Sequence, residues 1–320
     1  MTVGITVNVI ALAALLALML WWGRPPTETT RLRNALRVQP SRGEDFTWHP
    51  PDFPPGFDVE RLRPDEELRA IVSAIGVDAV QGDWEKSLLV AAHLAERAKT
   101  EGPIGGDPVT TYRAIRAGMG YCADFVKVFL VLAHAAGITA RQWSFSFDGF
   151  GGHGHTVAEI FDRERGRWLL LDVFNNFHIV DAASGEPLGA LEYRDALQGR
   201  RGLAQRRMNG PGRPGFVHEH KAVEYYLRGV DQWYLTWGNA VSSRYAHPLV
   251  RRAGRLSRVL GDLAANVIGA QPHIRIYETA DNALAVRRIF ALRSRLRLLL
   301  AVALLLVLTL AVQLAIVLAR

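Results

Sequence analysis

Cysteine is almost missing from this chain, because Cys122 is the only one among 320 residues. A single cysteine cannot form an internal disulfide, and it cannot supply the several thiolates of a structural zinc site. The chain also lacks a His-Glu-x-x-His sequence, the helical zinc motif of many metallopeptidases. It contains neither an internal repeat nor a low-complexity tract, which excludes solenoid and repeat-array architectures.

Charge is missing from two long apolar runs, Val3 to Trp22 and Leu298 to Ala319. Each has about the 20 residues that a helix needs to cross a bilayer. No Lys or Arg precedes the first run and no small-residue cleavage site follows it, which favours a retained helix over a cleaved signal peptide. We therefore predict transmembrane helices within residues 1–23 and 296–320.

The surroundings of Cys122 are those of a helix start. Gly118 and Gly120 interrupt the chain just before it, and an apolar run from Val126 to Ala136 follows. Unpaired N–H groups and the helix dipole at this position favour a thiolate, and the same N–H groups can hold an oxyanion. The alternative is that Cys122 is simply a small buried apolar residue.

Two segments downstream carry possible partners of such a thiol. The first is a glycine-rich turn that leads into a strand and contains His153 and His155; the second is a strand rich in leucine that carries Asp172. A nucleophilic cysteine needs a base, and the base needs a third group that orients it. Strand alternation puts both histidines on one face and does not choose between them. Alternatively the histidines bind a metal with Cys122 as a third ligand, and Asp172 begins a turn.

Four sequence blocks in this order resemble the transglutaminase-like superfamily of papain-like thiol enzymes, over roughly residues 65 to 180. They are Gly120-Tyr121-Cys122, Gly137-Ile138-Thr139-Ala140-Arg141, His155 through Glu159 to Phe161, and Trp168 to Asp172. The chain departs from the family pattern at Val157, where tryptophan is frequent, and at Val173, where proline is common. Neither departure removes a catalytic group.

The resemblance implies a site and a fold. The register of Glu159 and Phe161 selects His155 over His153, so the expected catalytic residues are Cys122, His155 and Asp172, with no metal and no cofactor. The expected fold is α+β, with a buried helix that begins at the cysteine and packs on an antiparallel sheet. Two transmembrane helices are expected to flank this core.

The implied chemistry is attack of a thiol on an amide of a peptide or protein, through a thioester. If water accepts the acyl group the enzyme is a peptidase or amidase, and if an amine accepts it the enzyme is a transglutaminase; we expect hydrolysis. A catalytically silent, membrane-tethered binding or assembly module and a lipid-facing structural protein are the alternatives from other classes. A nucleic-acid partner is not expected.

The rest of the chain has weaker patterns. We expect a Pro- and Arg-rich irregular linker over 24–64, the catalytic domain over 65–180, and a helical, aromatic and basic extension over 181–295. In the extension, the pattern from His218 to Ala246 predicts one helix. The predicted core helices are Glu66 to Ile75, Asp83 to Lys99 and Pro108 to Arg116, and the predicted strands are Arg141 to Phe147, Thr156 to Asp162 and Trp168 to Phe174.

Arginine flanks the two apolar runs unevenly. Nine arginines lie at their inner ends, and after the second run only Arg320 is basic. The positive-inside rule then places the central domain on the cytoplasmic side of a bacterial inner membrane. Because the rule weakens for long domains, a periplasmic domain is the alternative, and a lone cysteine fits either compartment.

Overall fold

The computed structural model describes residues 2–22, 25–96, 102, 104, 106–199, 201–208, 218–256, 261, 264–265 and 268–319, and over these the fold is α+β, as predicted. The helices are α1 Thr2–Trp22, α2 Pro26–Arg37, α3 Glu44–Thr47, α4 Glu66–Ile75, α5 Asp83–Ala95, α6 Pro108–Arg116, α7 Cys122–Ala135, α8 Ala190–Gln198, α9 Glu219–Leu227, α10 Val241–Ala246, α11 Pro248–Leu256 and α12 Ala283–Leu318. The strands are β1 Val38–Gln39, β2 Ala140–Ser146, β3 Gly154–Asp162, β4 Arg167–Leu171, β5 Phe177–Asp181, β6 Leu203–Arg207, β7 Trp233–Thr236 and β8 Ile274–Ile276.

The chain divides into two compact units. The first consists of Met1–Val38, Ser146–Gly154 and Glu278–Arg320, and the second of Gln39–Phe145 and His155–Tyr277. In the first unit α1 packs along α12, and Asn8 Nδ2 donates a hydrogen bond of 2.9 Å to Gln313 Oε1. In the same unit the loop after β2 is attached to α2, because Asn34 Nδ2 donates to the Phe150 carbonyl at 2.9 Å.

The membrane prediction is corrected from two spans to one. Among the described residues α12 alone is long and apolar enough to cross a membrane. Helix α1, Thr2–Trp22, does not meet the same test over its described residues.

The second unit is built on a six-stranded sheet in the order β1-β8-β7-β2-β3-β4. The pairs β2–β7, β3–β4 and β7–β8 are antiparallel, as the sequence predicted for its strands, and β5 pairs with β6 in a separate two-stranded sheet. Helix α7 is apolar almost all round, so it packs in the interior with residues of β3 and β4. Its neighbours in this core include Ala158, Ile160, Leu169 and Leu171.

The local predictions around α7 are confirmed. Helices α4 and α6 have the predicted bounds, and the bounds of β2, β3 and β4 differ from the predicted ones by a few residues. Two other expectations are wrong. Residues 24–64 are not an irregular linker, because Pro26–Arg37 is helical and Phe46, Trp48 and Phe57 are buried in the core. Likewise, the pattern from His218 to Ala246 is not one helix, because β7 interrupts it. Strand pairing with β2 and β8, which no local window contains, overrides the helical pattern there.

The position of α12 predicts how the chain associates with membranes. We expect the full chain to sediment with membranes and to resist an alkaline carbonate wash. Replacing both Leu304 and Leu305 by arginine should release it, because each arginine at the centre of a span costs about 2.5–3.5 kcal/mol. Both leucines are exposed in the structure.

Leu284→Arg is the matched control, since Leu284 is also exposed but lies in the first turn of the same helix. It should leave the chain in the membrane fraction. Release of the unmodified chain by carbonate would contradict the assignment of α12 as the anchor.

Candidate active site

Helix α7 begins at Cys122 because the residues before it stop any earlier helical turn. Gly120 has a φ of 113°, which strains any other residue, and a Cβ there would crowd Ile104 Cδ1 at 3.1 Å. Asp124, at the third helical position, accepts the N–H of Tyr121 at 3.1 Å and closes the first turn. The thiol is thus fixed at the N-terminal end of a buried helix, where it is half-buried.

His155 and Asp172 meet because β3 and β4 are antiparallel. His155 is the second residue of β3, and Asp172 directly follows β4, so the start of one strand lies beside the end of the other. His155 Nε2 is 2.9 Å from Asp172 Oδ2, and both side chains are buried. The imidazole of His155 and the backbone N–H of Thr156 both lie beside the Cys122 thiol, and both stabilise its thiolate. Because Nε2 contacts Asp172, the nitrogen left for the thiol is Nδ1.

The structure therefore brings together the three residues selected from the sequence, whose catalytic roles remain a prediction. His153, the competing histidine, precedes β3, and its side chain is 67% exposed with Nδ1 3.5 Å from Asp148 Oδ2. The metal alternative needed both histidines to serve one site, but each has a different carboxylate partner. Among the described residues no group of three His, Cys, Asp or Glu side chains is placed to hold a metal ion.

The charges of the three residues depend on one another. Burial alone would raise the pKa of the Cys122 thiol, but the charge and hydrogen bond of His155 and the Thr156 N–H lower it below its usual value. Burial alone would lower the pKa of His155, but the negative charges of Asp172 and Cys122 and its hydrogen bonds to them raise it to about 10. The site therefore favours a thiolate beside an imidazolium.

Asp172 stays ionised although it is fully buried. Burial alone would raise the pKa of its carboxyl, but His155, Asn175 and Tyr226 lower it below the usual range. Asn175 Nδ2 donates to Oδ2 at 2.7 Å, its backbone N–H donates to Oδ1 at 3.1 Å, and the Tyr226 hydroxyl donates to Oδ2 at 2.8 Å. A buried carboxylate with this many donors is stable as an anion.

Sequence reasoning missed Asn175, Tyr225 and Tyr226. Asn175 comes three residues after Asp172, a spacing typical of a turn in which the aspartate accepts a backbone N–H, so this signal was available. The two tyrosines were noted only as part of an aromatic helical pattern, which contains no signal for a distant carboxylate. Four aromatic rings lie about the imidazole, with centroids 5.8–6.0 Å from its own: Phe145, Phe174, Tyr225 and Tyr226.

Arg141 and Glu159, which helped to define the resemblance, form a buried ion pair. Arg141 Nε lies 2.7 Å from Glu159 Oε2, and each side chain is 2% exposed. The same Oε2 accepts the Trp143 indole N–H at 2.7 Å, and Glu159 Oε1 accepts the Ala190 N–H at 2.7 Å. These contacts tie β3 to β2 and to the start of α8, so the two motif residues support the site from within the scaffold.

The lowered thiol pKa predicts how Cys122 reacts with iodoacetamide. In the unmodified chain the alkylation rate should rise with a midpoint below the ordinary thiol value of about 8.5, because the imidazolium stabilises the thiolate. A second transition should appear near pH 10, where His155 loses its proton.

His155→Ala removes that charge and should move the thiol midpoint upward, whereas His153→Ala should leave the profile unchanged. Because Cys122 is the only cysteine, the rate belongs to one residue without further labelling. An ordinary thiol titration in the unmodified chain would contradict the ion pair.

The buried Arg141–Glu159 pair predicts a large loss of stability on removal of one charge. Glu159→Gln should lower the free energy of unfolding by about 3–5 kcal/mol, because it leaves Arg141 buried without its counter-charge. Glu67→Gln is the control, since Glu67 and Arg113 are 2.7 Å apart but 40% and 66% exposed, and it should cost less than about 1 kcal/mol. Equal losses in the two variants, measured by denaturant unfolding, would refute the structural role.

Known proteins resemble parts of this chain. The sequence model of the transglutaminase-like superfamily matches residues 79–173, which include Cys122, His155 and Asp172. No curated protein matches the chain.

Two crystal structures are similar to it at low scores. A "putative cysteine protease" from Cytophaga hutchinsonii has 14% identity and a TM-score of 0.30, over 58% of this chain and 64% of that one. A "putative protease" from Parabacteroides distasonis ATCC 8503 has 15% identity and a TM-score of 0.26, over 33% of this chain and 22% of that one. The chain thus spans less than two thirds of either protein. It is the match at residues 79–173, together with the ordered sequence blocks, that places a domain of the transglutaminase-like superfamily in this chain.

Proposed function

We propose that the chain is a membrane-anchored thiol enzyme that cleaves amide bonds in peptides or proteins. Cys122 is the nucleophile, His155 transfers protons, and Asp172 orients His155. The observation that supports this best is a single buried imidazole that contacts the thiol on one side and an ionised carboxylate on the other. A histidine that served packing alone would not need two charged partners.

The first half of the reaction forms a thioester. The thiolate sulfur of Cys122 attacks the amide carbonyl carbon, and the carbonyl oxygen becomes an oxyanion at the N-terminus of α7, where the Cys122 N–H donates to it. His155 then gives its Nδ1 proton to the amide nitrogen, the C–N bond breaks, and the amine leaves. The acyl group remains on sulfur and His155 is neutral.

The second half restores the enzyme. Neutral His155 takes a proton from a water molecule, whose oxygen attacks the thioester carbonyl carbon. The C–S bond breaks, the acid leaves, and the thiolate and imidazolium are regenerated together. Asp172 keeps Nε2 of His155 protonated throughout, so Nδ1 is always the nitrogen that exchanges the proton.

The arrangement predicts the outcome of trapping the thioester. The detergent-solubilised chain should be incubated with a peptide library, quenched in acid and analysed by intact mass. We expect an adduct on Cys122 that hydroxylamine removes and that Cys122→Ala lacks. Amidase turnover should fall by a factor on the order of a thousand in Cys122→Ala and in His155→Ala, and the double variant should be little worse.

Asp172→Asn should lose less activity than either, because it keeps the shape of the site and changes only the tautomer preference of His155. His153→Ala is the matched control and should keep most of the activity. An inactive His153→Ala with an active His155→Ala would contradict the assignment. Transfer of the acyl group to an added amine, in preference to water, would identify a transglutaminase, and no adduct in any mixture would favour a silent binding module.

A further inference from the structure

Helix α9 contributes to the site from outside the family core. Its residues, Glu219–Leu227, follow the matched segment 79–173 by more than forty positions in the sequence. Yet the hydroxyl of Tyr226 donates a 2.8 Å hydrogen bond to Asp172 Oδ2, across a sequence separation of 54 residues. Asn175, the other neutral donor, comes from the turn that begins at Asp172 itself, so Tyr226 provides the long-range attachment.

The ring of Tyr226 is held too firmly for its hydroxyl to move. It is fully buried, with its centroid 4.8 Å from that of Phe145 and 5.0 Å from that of Tyr193. Tyrosine has only two side-chain torsions, and close packing against these rings restricts both of them. The hydroxyl is therefore a fixed point against which the Asp172 carboxylate is aligned.

Tyr226 and His155 donate to the same oxygen of Asp172. His155 Nε2 is 2.9 Å and the Tyr226 hydroxyl 2.8 Å from Oδ2. If the carboxylate rotated to serve one donor better, it would lose the other. These two hydrogen bonds, with the two that Asn175 donates, select one rotamer of Asp172, and that rotamer determines which way the imidazole faces.

We propose that Tyr226 is a positioning residue of the reaction, whose hydroxyl fixes Asp172 in the orientation that holds His155 against Cys122. This inference rests on the proposed function, and it extends the active site beyond the transglutaminase-like core to α9. Tyr226 does not touch the reacting atoms; it acts through Asp172.

The hydroxyl also lowers the pKa of the Asp172 carboxyl, and the charge of Asp172 in turn holds the proton on His155. The ionisable groups about this pair are Cys122 on α7, His155 on β3, Tyr225 and Tyr226 on α9, and Tyr193 on α8. Burial and the nearby charge of Asp172 raise the pKa of Tyr226, so it stays neutral and keeps its proton to donate.

The test is the pH profile of Cys122 alkylation by iodoacetamide in the full chain with Tyr226→Phe, which keeps the ring. The transition that lies near pH 10 in the unmodified chain should move to lower pH, because a carboxylate that the hydroxyl no longer aligns stabilises the imidazolium less. Tyr193→Phe is the matched control. It removes the same hydroxyl from a neighbouring buried ring that packs on Tyr226, and it should leave the transition where it was.

A thermal melt checks that both variants remain folded, and only Tyr226→Phe should move the transition. An unmoved transition in Tyr226→Phe, or an equal shift in Tyr193→Phe, would overturn the proposal and leave the proposed function intact. If the unmodified chain shows an ordinary thiol titration with no transition near pH 10, the proposed function fails and this inference fails with it.

Discussion

A carboxylate that has no access to water is the constraint on which the site depends. Asp172 is fully buried, and an isolated charge there would be far less stable than in water. It remains ionised because donors from three places reach it: His155 on β3, Asn175 in the following turn and Tyr226 on α9. The charge in turn keeps His155 protonated, and the imidazolium keeps Cys122 deprotonated. One buried anion thus determines the protonation of the whole site.

Strand β3 carries a second buried charge, and together the two charges fix its position. Near its start, His155 attaches it to Asp172; four residues later, Glu159 attaches it to Arg141, Trp143 and the start of α8. Buried ion pairs of this kind do little for net stability but penalise any arrangement that separates the partners. The imidazole therefore lies on a strand whose register is fixed. A shift of register would separate both charged pairs and leave their charges buried without partners. A nucleophile that depends on hydrogen-bond distances needs such a support.

How much of this could be predicted depended on whether the signal was local. The helix start at Cys122, the strand of His155 and the strand that ends at Asp172 are patterns of a few residues, and the structure has all three elements. Antiparallel pairing of β3 and β4 then follows from the short polar turn between them. Tyr226 could not be found in this way, because its contact with Asp172 joins residues 54 positions apart and no local pattern links them. The same local patterns predicted two membrane spans, whereas the described residues contain one helix that is long and apolar enough.

The most direct test of the central claim is the ultraviolet absorbance of the thiolate as a function of pH, with Cys122→Ser as the blank. The single cysteine makes the difference spectrum specific to Cys122. The ion pair predicts that thiolate absorbance appears with a midpoint below the ordinary value of about 8.5 and that Asp172→Asn moves this midpoint upward. A midpoint at the ordinary value, unchanged by Asp172→Asn, would contradict the view that the buried carboxylate sets the charge of the nucleophile.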